Sequence, residues 1–114
     1  DMRKLRTDPS PAAAWAVTLF THRVVRESGA LIACLQGLDV LAFSGGIGEH
    51  DARLREAVCQ SLQWLGVRMD VQRNAQACGD TIQSIHAPES TVEIWVIPTD
   101  EGRVAAREAA ALLG

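Results

Sequence analysis

Two short apolar segments, each followed by a turn, constrain the fold of this chain more than any other feature. Residues 38–43 (Leu-Asp-Val-Leu-Ala-Phe) and 91–97 (Thr-Val-Glu-Ile-Trp-Val-Ile) have the composition of buried parallel strands. Between them, residues 51–65 repeat leucine and valine at helical spacing, and residues 81–86 resemble a further short strand. The order predicts two parallel strands joined by a right-handed crossover that contains a helix.

Helical patterns also flank the two strands. Ser10 and Pro11 are typical of a helix start, and apolar residues recur at helical spacing through residues 12–36. We expect one buried stripe on this long helix, formed by Trp15, Leu19, Val24, Leu31 and Leu35. Gly37 is the expected stop, and residues 101–113 have the pattern of a closing helix. The expected order is helix, strand, helix, strand, helix, which makes this an α/β segment.

Composition excludes several classes of function. The chain has 114 residues, 47 % of them hydrophobic and 22 % charged, which is typical of a globular protein. Its net charge of −3 argues against a general affinity for nucleic acid. No apolar run reaches the roughly 18 residues that a membrane span needs, and we see no secretory signal. We therefore expect a cytoplasmic protein that binds neither nucleic acid nor membranes.

The three cysteines agree with a reducing compartment. Cys34, Cys59 and Cys78 form no C-x-x-C pair, and no histidine stands at a spacing suited to zinc. Cys34 and Cys59 fall within helical apolar patterns, where a free thiol usually behaves as a small buried hydrophobe. We expect both to be structural.

A glycine-rich turn carries the strongest functional signal. Residues 44–50 (Ser-Gly-Gly-Ile-Gly-Glu-His) connect the first strand to a helix, which suits an anion such as a phosphate. Glycine lets a ligand approach the main-chain amides closely. The segment is neither a Walker P-loop nor a dinucleotide fingerprint, because Asp51 stands where the latter needs its third glycine. A tight turn without a ligand remains the alternative.

Two acidic residues follow the second strand. Asp100 and Glu101 are expected at the same sheet edge as the glycine turn, since both strands end there. They can cap a helix, or Glu101 can help to hold Mg²⁺ near phosphates, directly or through water. Of the histidines, we expect His22 on a helix surface and His86 in a loop or at a strand end. For His50, beside the turn, we favour a capping or base-edge contact over catalysis.

Three motifs together resemble the C-terminal part of acetate kinases, a family to which propionate kinases are closely related. These are residues 1–3 (Asp-Met-Arg), residues 43–49 (Phe-Ser-Gly-Gly-Ile-Gly-Glu) with Arg53, Arg55 and Glu56 following, and residues 96–101 (Val-Ile-Pro-Thr-Asp-Glu). The resemblance covers essentially the whole chain. It implies the αβαβα part of a ribonuclease-H-like lobe of the actin-like, sugar-kinase ATPase fold. It also implies transfer of the γ-phosphoryl of ATP to acetate, giving acetyl phosphate and ADP, with Mg²⁺ or Mn²⁺.

The resemblance assigns site residues as well. It matches the adenine-side ATP segment to Asp1, Met2 and Arg3. It matches the nucleotide-contacting glycine turn to Gly46, Ile47, Gly48, Glu49 and His50. It matches the magnesium-binding glutamate to Glu101. His50 stands where the family usually has Asn, and Gly102 stands where it usually has Glu.

Residues 1–114 are therefore expected to be one segment, the C-terminal part of the C-terminal nucleotide-binding lobe of a longer kinase. The family's acetate pocket and catalytic Asn, Arg, His and Asp lie upstream, so we expect no catalytic residue here and no turnover by this segment alone. The full-length enzyme is expected to be a homodimer. Two alternatives stay open: a non-catalytic nucleotide-binding or interaction module derived from such a kinase, and a kinase for another short-chain carboxylate such as propionate.

Overall fold

The computed structural model describes residues 1–99, which fall into two compact units, residues 1–38 and a second unit that begins at Asp39. The predicted closing helix, residues 101–113, lies outside the described residues. Within residues 1–99, no helix is both long enough and apolar enough to cross a membrane.

The first unit consists of two helices that lie against each other. They are α1 (Met2–Thr7) and α2 (Pro11–Leu35). The Asp1 carboxylate accepts a hydrogen bond from the Arg3 amide at 3.0 Å and so caps α1. The Ser10 hydroxyl accepts one from the Ala13 amide at 3.2 Å, and Pro11 occupies the first turn of α2. These contacts confirm the predicted start of the long helix.

The apolar stripe predicted for α2 is wrong except at Val24, which is half-buried. Trp15, Leu31 and Leu35 are 63 %, 65 % and 71 % exposed, whereas the buried residues of α2 are Ala13 and Ile32. At about 100° per residue, Leu31 lies about 160° around the helix from Trp15, so the two side chains cannot share a face. The buried side of α2 is instead formed largely by small and β-branched residues, which the spacing of the largest side chains did not indicate.

The end of α2 differs in detail from the expectation. The helix stops at Leu35, and Gln36 adopts the left-handed conformation with φ of 62°. The Gly37 amide donates to the Ile32 carbonyl at 3.2 Å, which satisfies one of the last carbonyls of the helix. The predicted stop is thus correct in position, but the left-handed residue is the glutamine that precedes Gly37.

Up to Thr99, where the described residues end, the second unit contains three strands. They are β1 (Val40–Phe43), β2 (Gln83–Ser84) and β3 (Glu93–Val96). The spatial order is β1-β3-β2. β1 and β3 run parallel, with Val40 opposite Glu93 and Phe43 opposite Val96, and β2 pairs antiparallel with β3. This confirms the predicted parallel pair and the short strand expected within residues 81–86.

Three helices connect β1 to β2 along the chain. They are α3 (Gly45–His50), α4 (Ala52–Ser61) and α5 (Val71–Gln76). The Asp51 carboxylate accepts from the Leu54 amide at 2.9 Å and begins α4 as expected. The single helix predicted over residues 51–65 is wrong, because α4 breaks at Leu62 and continues as a 3-10 turn that ends at Gly66, where φ is 92°.

The core of the second unit excludes water completely at several apolar residues. Val67, Ile85, Ile94 and Val96 are 0 % exposed. The apolar face predicted for α4 supplies further core residues, namely Leu54, Val58 and Leu62. Burial of this kind is the main stabilising contribution to a domain of this size.

The cysteines divide between core and surface. Cys59 on α4 is buried, as predicted, and its burial raises the pKa of its thiol to about 12. The prediction that Cys34 is buried is wrong, because this residue is exposed on α2. Cys78 is also exposed, and its thiol donates to the Asp80 carboxylate at 3.2 Å.

Candidate functional site

The candidate site lies where the two parallel strands end. β1 ends at Phe43 and β3 ends at Val96, directly opposite each other. The Ile97 amide donates to the Phe43 carbonyl at 2.9 Å, so the segments that leave the two strands begin side by side. In open α/β sheets, ligands bind at this carboxyl edge. The sheet edge therefore brings the glycine-rich residues next to Pro98 and Thr99. Asp100 and Glu101, which the sequence predicted at this edge, lie outside the described residues.

The glycine-rich residues form a short helix, and the prediction of a turn is wrong in this respect. α3 follows directly on β1, with Ser44 extended and Gly45 in the left-handed region at φ of 79°. A Cβ at Gly48 would lie 3.4 Å from the carbonyl carbon of Phe43, so this glycine packs against the end of β1. A Cβ at Gly46 would meet no protein atom within 4 Å. Close main-chain approach is therefore available to a ligand at Gly46.

Glu49 connects α3 with the segment that follows β3. Its side chain is 7 % exposed, and the Thr99 hydroxyl donates to its carboxylate at 2.5 Å. The neighbouring His50 is exposed and ends α3. Gly79 lies against both, because a Cβ there would come within 2.7 Å of Glu49 Cβ and 3.2 Å of His50 Cε1. The Glu49 carboxylate thus faces the protein and fixes Thr99 beside the glycine helix.

Arg55 is the most elaborately bonded side chain next to α3. It is 0 % exposed and donates five hydrogen bonds. Two go to the Gly48 and Glu49 carbonyls, both at 2.9 Å. Three go to the Asn74 side chain, the Asn74 carbonyl and the Ala77 carbonyl, at 2.7 to 2.8 Å. Burial lowers the pKa of Arg55 and the Asp51 carboxylate opposes that shift, but a guanidinium stays protonated in proteins.

Arg55 appears in the motif that carries the resemblance, but sequence reasoning gave it no role. The available signal was its position, since Arg55 shares the apolar face of α4 with Val58, Cys59 and Leu62. A charged residue on a buried face is almost always fully hydrogen-bonded. Its acceptors could not be anticipated, because four of the five are main-chain carbonyls.

The other predicted ATP residues lie in the first unit. Asp1 precedes α1, Met2 is buried at 6 % exposure, and Arg3 is exposed. The predicted magnesium ligand, Glu101, lies outside the described residues. Among residues 1–99, no group of three His, Cys, Asp or Glu side chains could hold a metal ion.

Two of the three histidines have the positions that we predicted. His22 is exposed on α2. His86 pairs with Met69 in an isolated bridge, and its Nδ1 accepts from the Ile94 amide at 3.0 Å. Its ring also meets Trp95 edge to face, with ring centroids 5.9 Å apart. His86 therefore has a structural role at β3.

Comparison with known proteins finds one family over nearly the whole chain. Residues 1–107 match the model of the acetokinase family. The acetate kinase of Rhodopseudomonas palustris (strain TIE-1) is 48 % identical over 107 residues, which are 94 % of this chain and 26 % of that protein. The chain thus spans about a quarter of the length of this relative.

Solved structures show the same similarity in three dimensions. The acetate kinase of Porphyromonas gingivalis superposes with a TM-score of 0.82 and 32 % identity, covering 100 % of this chain and 29 % of that one. A propionate kinase from Francisella tularensis superposes with a TM-score of 0.70 and 32 % identity, covering 86 % of this chain and 25 % of that one. The fold is therefore a mixed α/β segment that matches part of these kinase structures.

Proposed function

The chain belongs to the acetokinase family, and we propose that it is the C-terminal ATP- and Mg²⁺-binding part of an acetate kinase. In this proposal residues 1–114 belong to the ribonuclease-H-like nucleotide lobe of a longer protein, called the parent protein below. The parent protein transfers the γ-phosphoryl of ATP to acetate and produces acetyl phosphate and ADP. It is a cytoplasmic homodimer.

One observation supports the proposal most directly: the glycine helix and the segment that leads to Glu101 leave the same sheet edge. The Ile97–Phe43 hydrogen bond joins the two strand ends, and the Thr99–Glu49 hydrogen bond joins the segments that follow. A site for Mg·ATP needs main chain open to phosphates and a carboxylate for the cation. Glu101 comes two residues after Thr99 in the chain.

The residues have distinct proposed roles. The main chain of α3 at Gly46, Ile47 and Gly48 meets the nucleotide, and His50 stands at its edge. Glu49 supports this site from the protein side, because its carboxylate accepts a hydrogen bond from the Thr99 hydroxyl. Residues 1–3 contribute on the adenine side, and Glu101 holds Mg²⁺ directly or through water.

Phosphoryl transfer depends on positioning and on stabilising the charge of the transferred group. Mg²⁺, when bound, neutralises charge on the phosphate oxygens. This segment would hold the nucleotide in place. The groups that bind the acid and stabilise the transferring phosphoryl would come from upstream, so this segment alone would not turn over.

Gly46→Leu tests the glycine helix. A Cβ at Gly46 meets no described protein atom within 4 Å, and the rest of the leucine would occupy the space that a nucleotide is proposed to take. We expect the KM for ATP of the parent protein to rise at least tenfold in steady-state assays. Gly29→Leu is the matched control, because Gly29 is a helical glycine whose Cβ position is equally open. An unchanged KM for ATP in Gly46→Leu would remove α3 from the nucleotide site.

Glu101→Gln tests the metal assignment. Loss of the negative charge should raise the Mg²⁺ concentration for half-maximal activity of the parent protein at least tenfold. Glu89→Gln makes the same change at an exposed residue and should leave that concentration unaltered. Equal responses of the two variants would contradict a metal role for Glu101.

The propionate kinase similarity supports a second candidate, in which the acid is propionate. Comparing kcat/KM of the wild-type parent protein for acetate and propionate decides between them. A parent protein that binds ADP but phosphorylates neither acid would instead be a non-catalytic nucleotide-binding module.

A further inference from the structure

Arg55 uses every donor that a guanidinium possesses. Its Nε donates to Asn74 Oδ1, one terminal nitrogen donates to the Gly48 and Glu49 carbonyls, and the other donates to the Asn74 and Ala77 carbonyls. Five N–H groups meet five acceptors, which is the full capacity of the side chain. None of these five acceptors is a carboxylate.

The acceptors belong to the C-terminal ends of two short helices. Gly48 and Glu49 lie in the last turn of α3, and Asn74 and Ala77 lie at the end of α5. The last four carbonyls of any α-helix lack partners within that helix. A positive charge at this end also interacts favourably with the helix dipole. One guanidinium therefore caps α3 and α5 together.

Asn74 completes the connection to the helix that carries Arg55. Its side chain is 2 % exposed, and its Nδ2 donates to the Ala52 carbonyl at 2.9 Å while its Oδ1 accepts from Arg55. α3, α4 and α5 are thus joined through two buried side chains. Neither side chain is exposed at the sheet edge, so neither can touch a nucleotide there.

We propose that Arg55, held by Asn74, is a positioning residue that fixes the glycine helix α3 for the nucleotide. A six-residue helix with three glycines has little stability of its own, because helix nucleation is costly and each glycine costs up to about 1 kcal/mol. Arg55 replaces the missing internal bonds at the far end of α3, away from the face that a ligand would approach. This inference rests on the proposed function for its nucleotide, but the hydrogen-bond geometry is independent of it.

Arg55→Lys in the parent protein tests the proposal. Lysine keeps the charge, but its ammonium group has three donors at one point and cannot reach the ends of both helices. We expect a KM for ATP and a Kd for ADP at least tenfold higher than in the wild type, with the KM for acetate changed less than twofold. Arg26→Lys, at an exposed position on α2, is the control and should change none of these values.

Hydrogen exchange supplies a readout that needs no activity. Well below the melting temperature, amides of residues 45–50 should exchange at least tenfold faster in Arg55→Lys, while those of β3 stay as protected as in the wild type. If the role of Arg55 were merely structural, Arg55→Lys would lower the melting temperature and the yield without raising the KM for ATP more than the KM for acetate. Asn74→Ala, which removes one of the five acceptors, should act in the same direction with a smaller effect and serves if Arg55→Lys does not fold.

The outcomes separate the two proposals. Wild-type parent protein that neither binds ADP nor phosphorylates an acid would overturn the proposed function, while exchange at residues 45–50 would still decide whether Arg55 fixes α3. Unchanged exchange in both variants, or an ATP KM that rises no more than the acetate KM, would overturn the role of Arg55.

Discussion

The two units of this chain differ in how completely they bury their apolar side chains. In the second unit Ile85, Ile94 and Val96 are 0 % exposed. In the first unit the most buried apolar residues, Ala13, Met2 and Ile32, retain 4 to 9 % exposure. The unit that carries the glycine helix therefore has a closed core of its own, whereas the unit that contains the long helix α2 has no fully buried apolar residue.

The two units also differ in the hydrogen bonds that their polar side chains donate to main-chain carbonyls. In the second unit Arg55 and Asn74 bond carbonyls at three helix ends, and the Ser90 hydroxyl donates to the Gly66 carbonyl, 24 residues away in the chain, at 3.2 Å. In α2 the hydroxyl bonds are local, since Thr18, Thr21 and Ser28 each donate to the carbonyl four residues earlier. Long-range bonds fix how elements are placed, whereas local ones act only along one helix.

The largest effect on the free energy of unfolding is expected from truncating a buried core side chain. Ile94→Ala removes three carbons from a fully buried site on the central strand β3 and should lower the free energy of unfolding by about 2–5 kcal/mol. Leu35→Ala removes three carbons from a side chain that is 71 % exposed and should change it by less than about 0.5 kcal/mol. Urea unfolding of the parent protein measures both. Equal losses would contradict the difference between the units.

An intermediate effect on the free energy of unfolding is expected from substituting two glycines that have positive φ. Gly66→Ala and Gly37→Ala both impose backbone strain, at φ of 92° and 151°. Only at Gly66 does a Cβ also collide with the Thr91 side chain, whereas the space around Gly37 is open. We expect Gly66→Ala to cost about 1–3 kcal/mol more than Gly37→Ala in urea unfolding. Adding Thr91→Ala should recover part of that excess, and no recovery would rule out the collision as its cause.

The main features of the sheet follow from the sequence because they depend on local patterns. Residues 38–43 and 91–97 are short, apolar and bounded by turn residues, so their strand character and parallel pairing are correctly predicted. The stripe on α2 is predicted wrongly, since spacing was judged from the largest side chains. Burial of α2 follows one side of the helix whatever the size of its residues.

The candidate site is predictable only in its location. The rule that ligands bind at the carboxyl ends of parallel strands places residues 44–50 beside Thr99, and the Ile97–Phe43 hydrogen bond agrees with it. That three glycines form a helix was not predictable, because glycine favours turns until tertiary contacts outweigh it. The contacts that do so come from Arg55 and from the packing of Gly48 on β1.

The smallest effect is expected on the pH dependence of the unfolding free energy, where the buried thiol of Cys59 should contribute and the exposed thiol of Cys34 should not. Burial raises the pKa of Cys59 to about 12 from an ordinary 9.0, so above pH 9 the unfolded chain loses this proton before the folded one does. The unfolded state then binds fewer protons, and stability must fall as pH rises from about 9 toward 12. At pH 10 the loss attributable to Cys59 is about 1 kcal/mol, since one pKa unit corresponds to about 1.4 kcal/mol.

Cys59→Ala should therefore reduce the fall in unfolding free energy between pH 8 and pH 10 by about 1 kcal/mol. Comparing two pH values within one variant cancels the constant cost of the cavity that the alanine leaves. Cys34→Ala, at an exposed residue of α2, should leave the fall as large as in the wild type, because its thiol is exposed in the folded unit. An identical fall in all three proteins would mean that solvent reaches Cys59, and the closed core that distinguishes the second unit would then be open at α4.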